Sequence, residues 1–205
     1  KAEEYKNTCV ETVFIGGGTP SIIPARYISE ILDTVYSHYN VSSDYECTIE
    51  CNPGTLTDEK LKIYKNSGIN RLSIGLQACQ DSILKALGRI HTFDDFLTSL
   101  KLARKHEFDN INADIIFGIP NQTFEQWQET VAQIISLDLA HVSCYSLLIE
   151  EGTVYGNMKK EGTITEVADE IDRKMYHFAV DHFNAAGLHQ YEISNFAKPH
   201  LRCRH

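Results

Sequence analysis

Ile111-Asn112-Ala113-Asp114-Ile115-Ile116-Phe117 is the stretch on which the fold turns. As a strand it puts Ile111, Ala113, Ile115 and Phe117 on one face and Asn112, Asp114 and Ile116 on the other. Two more runs divide the same way: Cys47–Cys51 separates Cys47/Ile49/Cys51 from Thr48/Glu50, and Leu72–Gln77 separates Leu72/Ile74/Leu76 from Ser73/Gly75/Gln77. A doubly wound sheet, covered by helices on both sides, has nearly continuous apolar strands, and these are not. An ordinary eight-stranded barrel fills its interior with branched apolar side chains. Here the interior face is small or polar, and burying Glu50, Gln77 and Asp114 without partners would be costly. The pattern predicts an open or partial barrel with an apolar outer wall. Its lumen holds a polar ligand near the carboxyl ends of the strands, where parallel α/β sheets bind ligands.

The rest of the chain repeats strand and helix, the signature of a parallel sheet with right-handed crossovers. Further strands are expected at Thr12–Ile15, Glu46–Cys51, Arg71–Leu76, His141–Ile149 and Gln190–Phe196. Helical stripes lie between them: Ile28/Ile31/Leu32/Val35, Phe93/Phe96/Leu97/Leu100 and Phe124/Trp127/Val131/Ile134. Thr123 with Gln126 reads as a capping box, and Gly68 and Gly187 are placed to end helices. Thr165 to Ala186 reads as one long late helix, with Ile171, Met175, Phe178 and His182 on one side.

Composition bounds what such a barrel does. The 205 residues carry 19 Lys+Arg against 28 Asp+Glu, a net charge of −9. That balance argues against a general phosphate-backbone binder, so no nucleic-acid partner is expected. No apolar run approaches the roughly 20 residues of a membrane helix. The six cysteines form no Cys-x-x-Cys pair, which excludes a zinc ribbon and a thioredoxin-like site; reduced, buried thiols in a cytoplasmic protein are expected. The histidines show no metal-ligand spacing, so no metal ligand is assigned within the chain.

Gly16-Gly17-Gly18-Thr19-Pro20 follows directly on the strand Thr12–Ile15. Glycines there permit positive φ and close backbone approach to a ligand. They lack the lysine of a P-loop and the spacing of a dinucleotide fingerprint. By themselves they fit a tight turn as well as a ligand cradle. Glu50, Gln77 and Asp114 are each ordinary singly; three on one sheet face near the same ends point to a shared site. Arg89, between two short helical stretches, suits a carboxylate or phosphate, with a solvated surface arginine as the default reading.

Five strings taken in order resemble the radical S-adenosylmethionine proteins related to oxygen-independent coproporphyrinogen III oxidase. They are Phe14-Ile15-Gly16-Gly17-Gly18-Thr19-Pro20-Ser21, Glu50-Cys51-Asn52-Pro53-Gly54, the run from Asn70 to Gln77, Leu87-Gly88-Arg89-Ile90-His91 and the run from Asn112 to Pro120. The resemblance implies a partial (β/α)6 barrel, here lacking its first strand. It implies that Gly17, Gly18 and Thr19 bind the methionyl end of S-adenosylmethionine. Glu50, Gln77 and Asp114 would serve its ammonium and ribose groups, and Arg89 its carboxylate. Gln190-Tyr191-Glu192-Ile193-Ser194-Asn195-Phe196-Ala197-Lys198-Pro199, with Cys203-Arg204-His205, is most similar to the haem-chaperone-like subgroup.

One departure matters for activity. The family's Cys-x-x-x-Cys-x-x-Cys, which holds a [4Fe–4S] cluster, is not in the chain and is expected upstream of Lys1. Residues 1–205 are therefore expected to be a single core domain, a fragment inactive alone, without its cluster segment and C-terminal domain. No catalytic residue is assigned. The resemblance implies S-adenosylmethionine and the cluster as cofactors, with haem added in the chaperone branch. Its implied partners are haem or a porphyrinogen, an electron donor and a haem-recipient protein. Two functional classes stay open: a chaperone that binds and delivers haem, and an oxidase that decarboxylates porphyrinogen propionates. A lyase-type barrel would want a lumen lysine and a late phosphate loop, and neither is present.

Overall fold

A computed structural model describes residues 3–5 and 7–205. In chain order the elements are β1 (Cys9–Ile15), α1 (Ala25–His38), β2 (Asn40–Cys51), α2 (Asp58–Asn66), β3 (Arg71–Gln77), α3 (Asp81–Ala86), α4 (Phe93–Lys105), β4 (Ile111–Phe117), α5 (Phe124–Ser136), β5 (His141–Ser146), α6 (Val154–Lys160), α7 (Asp169–Ala185), β6 (His189–Gln190) and β7 (Asn195–Ala197). The sheet order is β1-β2-β3-β4-β5-β7-β6. Strand and helix alternate from β1 to β5 as the sequence pattern requires, save that two helices, α3 and α4, separate β3 from β4. The chain divides into two compact units: one runs to Leu76 and adds Asp94–Asn112 and Cys203–His205, and the other comprises Gln77–Phe93 and Ala113–Arg202.

In the first unit β1 and β2 pair in parallel, with Thr12 opposite Glu46 and Phe14 opposite Thr48. β2 and β3 pair in parallel with Thr48 opposite Arg71 and Glu50 opposite Ser73. Neighbours in register share a face, so the polar side chains of β2 align with Phe14, Arg71 and Ser73. The opposite face, Cys47, Ile49, Cys51, Leu72 and Ile74, is buried. Tyr36 of α1 lies against Cys47 and Tyr64 of α2 against Cys51, so these helices cover the apolar side. Thr57 caps α2 by accepting from the Lys60 N–H. After α2 the chain turns at Gly68, φ 88°, where a Cβ would sit 2.1 Å from the Tyr45 hydroxyl oxygen. Only glycine fits there.

In the second unit Ala113, Ile115 and Phe117 of β4 are buried, while Asp114 and Ile116 are half-buried. The Phe117 ring lies 5.3 Å from Trp127 of α5. The Trp127 indole N–H donates to the Met175 carbonyl of α7 at 2.8 Å, fixing the two helices to each other. Thr123 and Gln126 form the reciprocal capping box expected at the start of α5.

Four expectations change. Gln190–Phe196 is not one strand but the hairpin β6–β7, and β7 runs antiparallel to both β5 and β6. The Tyr191 N–H donates to the Asn195 carbonyl, closing a tight return that needs no helical crossover. β5 stops at Ser146 rather than Ile149, the chain leaves the sheet, and Leu148 is exposed. The late helix starts at Asp169, not near Thr165, and the short helix α6 precedes it. Ile31, Ile171 and His182 are exposed, so the apolar stripes of α1 and α7 are narrower than their spacing implied.

Candidate functional site

β1 delivers its chain into Gly16-Gly17-Gly18, and Gly17 and Gly18 adopt φ 88° and 62°. At Gly16 an added Cβ would meet the Phe14 ring at 2.8 Å and Glu50 Oε2 at 3.0 Å. The loop thus packs against the end of β2. Glu50, half-buried, accepts a hydrogen bond from the Gly17 N–H at 3.1 Å through Oε2. Space beside Gly17 and Gly18 is open, and a Cβ at either position would meet no neighbouring group within 4 Å. A loop with left-handed glycines, free surroundings and a carboxylate at its base suits a zwitterion carrying an ammonium group.

The turn after β2 is latched to this loop. The Asn52 side-chain amide donates to Thr19 Oγ1 at 3.0 Å, and the Asn52 backbone N–H donates to Ser21 Oγ at 3.1 Å. The Thr55 hydroxyl donates to the Asn52 carbonyl at 2.7 Å and shares a hydrogen bond with the Ser21 hydroxyl at 2.7 Å, and Lys60 donates to the Ser21 carbonyl at 2.5 Å. Sequence reasoning found Gly17, Gly18, Thr19 and Glu50 but missed Asn52, Ser21, Thr55 and Lys60 as the residues that hold them. The only signal was that Asn52 and Ser21 lie inside the motif strings.

The polar face of the first unit carries more than expected. Glu46 and Arg71 are buried there. Glu46 Oε1 accepts from the Arg204 backbone N–H at 3.1 Å and from the Cys203 thiol at 3.5 Å. His205 stacks on Phe14 with ring centroids 4.6 Å apart. Burial pushes the Cys203 thiol up, while the Arg71 guanidinium opposes that shift. Thr48 Oγ1 and Arg71 Nε are buried with no hydrogen-bond partner among the described residues. Such orphaned groups are uncommon and leave the face short of polar partners.

Gln77, Arg89 and Asp114 belong to the second unit. Gln77 ends β3 buried at φ 75°, a conformation rare for a residue with a side chain and concentrated at functional sites. Asp114 is half-buried at the middle of β4. Arg89 follows α3, half-buried, its N–H bonded to the Leu84 carbonyl at 2.9 Å. The structure therefore brings Gly17, Thr19 and Glu50 together in one unit.

All six cysteines are reduced thiols. Burial pushes Cys47 up to about 11 and Cys51 and Cys79 up to about 12, and it raises Cys144 further. Thiols held in this way are poor cluster ligands at neutral pH. Among the described residues no three His, Cys, Asp or Glu side chains are grouped to hold a metal ion. These residues do not fit an iron–sulfur cluster, whereas the glycine loop with Glu50 does fit an amino-acid zwitterion. No helix among the described residues is long and apolar enough to cross a membrane.

Residues 1–134 match the family model of the radical SAM superfamily. Over 197 residues the chain is 40% identical to the heme chaperone HemW of Bacillus subtilis (strain 168), covering 96% of this chain and 52% of that protein. It is 34% identical over 196 residues to the mitochondrial radical S-adenosyl methionine domain-containing protein 1 of Danio rerio, covering 96% of this chain and 44% of that one. The chain thus spans about half the length of the curated relatives it matches. In three dimensions it resembles the solved coproporphyrinogen III oxidase HemN of Escherichia coli, described as a radical SAM enzyme. That match has a TM-score of 0.85 at 22% identity over 98% of this chain and 46% of that one. The likeness shows the same fold, the partial barrel expected from the strand faces.

Proposed function

The chain belongs to the radical SAM superfamily, and from that premise we propose that the whole protein binds S-adenosylmethionine and serves as a haem chaperone. The observation that carries the cofactor half is the Gly17 N–H to Glu50 hydrogen bond beneath an open glycine loop. Membership of the family implies S-adenosylmethionine and a [4Fe–4S] cluster, which together supply reductive cleavage of a sulfonium. The cluster's ligands are not among these residues. What this chain supplies is binding. Gly17 holds Glu50 by Oε2, which leaves Oε1 to accept from the ligand ammonium. Asn52 keeps Thr19 in place beside it. Gln77 and Asp114 would take the ribose hydroxyls, and Arg89 the carboxylate as an ion pair. In this reading the two units form one core domain.

The chaperone half rests on relatives named as heme chaperones at up to 40% identity across 96% of the chain. Coproporphyrinogen oxidation is the second reading, and its support is a shared fold at 22% identity. A haem-recipient protein, an electron donor and a cytoplasmic setting complete the proposal. The deciding experiment gives the reconstituted full-length protein coproporphyrinogen III, reductant and S-adenosylmethionine, with a separate haem titration. Stoichiometric haem binding without decarboxylation is expected. Protoporphyrinogen formed with catalytic turnover would overturn the chaperone reading in favour of the oxidase.

A further inference from the structure

At the opposite end of β2 from Glu50 the chain passes from helix to strand with no loop between. α1 ends at His38, Tyr39 is already extended at φ −122° and ψ 148°, and β2 begins at Asn40. Just beyond, the pairing of β1 with β2 shifts register: Val10 faces Val41 and Thr12 faces Glu46, so Glu11 alone stands against Ser42–Tyr45. Bulges of this kind gather beside functional sites, where they re-aim side chains. Beside this one lies a cavity of about 420 Å³, lined by Tyr36, Tyr39, Asn40, Val41, Ser42 and Tyr45. That volume suits a small molecule.

Two of its walls are fixed. The Tyr36 hydroxyl donates to the Ser67 carbonyl at 3.1 Å, and the Tyr45 hydroxyl donates to the Gly68 carbonyl at 3.0 Å. Their rings meet edge to face with centroids 5.7 Å apart. Burial pushes the Tyr36 hydroxyl up, so it stays neutral. With both hydroxyls spent on the protein, these residues offer a ligand aromatic surface. The remaining polar groups are unspent. Among the described residues the Tyr39 hydroxyl and the Asn40 carboxamide have no hydrogen-bond partner. Ser42 Oγ accepts from the Asp44 N–H at 3.3 Å, which leaves its own proton to donate. None of the six lining side chains carries a charge.

That lining selects its ligand. A phosphate or carboxylate would meet no cation in the cavity, and an ammonium no carboxylate. A purine base meets the requirements together, because its faces stack on tyrosine rings and its edge pairs with a carboxamide. Asparagine matches adenine in particular, accepting from the N6 amine and donating to N7. The hydroxyls of Tyr39 and Ser42 suit those of a ribose. We propose that this cavity binds an uncharged adenine nucleoside, stacked on the tyrosines and read at its base edge by Asn40. The site is separate from the glycine loop, since the length of β2 lies between Asn40 and Glu50. It also disfavours S-adenosylmethionine, whose sulfonium and amino-acid charges would find no counter-charge. The inference stands independently of the chaperone reading.

The test is calorimetric titration of the full-length protein with adenosine, under saturating S-adenosylmethionine so that the glycine loop is not the site observed. Adenosine 5′-monophosphate and glucose are the comparison ligands. Adenosine is expected to bind at one site, the monophosphate more weakly, and glucose not at all. Tyr39→Ala and Asn40→Ala should each weaken adenosine about tenfold, whereas Tyr39→Phe, which keeps the ring, should lose only a few-fold. A melting temperature within about 5 °C of the unmodified protein shows that each variant is folded. No uptake of adenosine at millimolar concentration would overturn the site. So would alanine variants that bind adenosine within twofold of the unmodified protein. Monophosphate bound as tightly as adenosine would overturn the uncharged class, and glucose bound as tightly would overturn the assignment to a base.

Discussion

Replacing Glu50 by glutamine keeps the shape of the glycine loop and removes one charge, so it isolates what the carboxylate contributes to a ligand. In the structure Oε2 accepts from the Gly17 N–H at 3.1 Å. The glutamine oxygen can accept that same bond, and the latch of Asn52 to Thr19 and Ser21 does not involve Glu50. The fold should therefore be nearly unchanged, with a loss of about 1 kcal/mol or less and a melting shift within about 3 °C. A hydrogen bond to a charged partner is worth about 1.5–3 kcal/mol. Glu50 is half-buried, so water screens part of this and the lower end applies. About 1.5–2 kcal/mol corresponds to a ten- to thirtyfold rise in the dissociation constant for S-adenosylmethionine. Calorimetric titration of the full-length Glu50→Gln variant, beside its thermal melt, reads both quantities. An affinity within twofold of the unmodified protein would refute the assignment of Glu50 to the ammonium. A large melting shift accompanying the loss would reveal a structural role instead.

Gln77→Gly should also weaken S-adenosylmethionine binding about tenfold while leaving the melting temperature level or higher, because glycine suits φ 75° better than glutamine does. Unchanged affinity would remove Gln77 from the site. Asp114→Ala should cost about ten- to a hundredfold in the same titration, through hydrogen bonds lost to the ligand; an unaltered isotherm would count against it. Gly68→Ala should destabilise the fold by about 1–3 kcal/mol in urea, since a methyl there collides with Tyr45 at positive φ; equal midpoints would contradict the packing described. Stability should fall as pH rises above 9. The native thiols of Cys47, Cys51 and Cys79 are raised from 9.0 to about 11–12, so the unfolded chain releases those protons first. The contribution is full below pH 9 and lost as pH climbs through 11–12, and a melting temperature flat across that range would disprove it.

How much of this was legible beforehand divides by distance along the chain. The faces of β2, β3 and β4 follow from a two-residue period, and the capping box of α5 from residues three apart; both are local matters of backbone geometry. The same holds for the glycine loop, where positive φ was expected from composition and is found at Gly17 and Gly18. Residues that needed a partner far off in sequence were not legible as a set. Asn52 reaches Thr19 across 33 positions, and Arg204 reaches Glu46 across 158. No spacing rule encodes such meetings.

The sequence by itself settled the class of fold, because alternation between apolar and polar positions dictates which strand face can be buried under helices and which cannot. It also settled where the glycine loop stands, directly after a strand. Tertiary structure alone decided that Glu50 lies under Gly17, and that Cys203-Arg204-His205 lies on the polar face beside Glu46 and Phe14. It alone turned Gln190–Ala197 into an antiparallel hairpin against β5. The reason is physical. Periodicity and capping act within a turn or two of chain, whereas the contacts of Glu50 with Gly17 and of Glu46 with Arg204 join segments separated by whole helices. Each of these side chains takes its meaning from neighbours that only the folded chain provides.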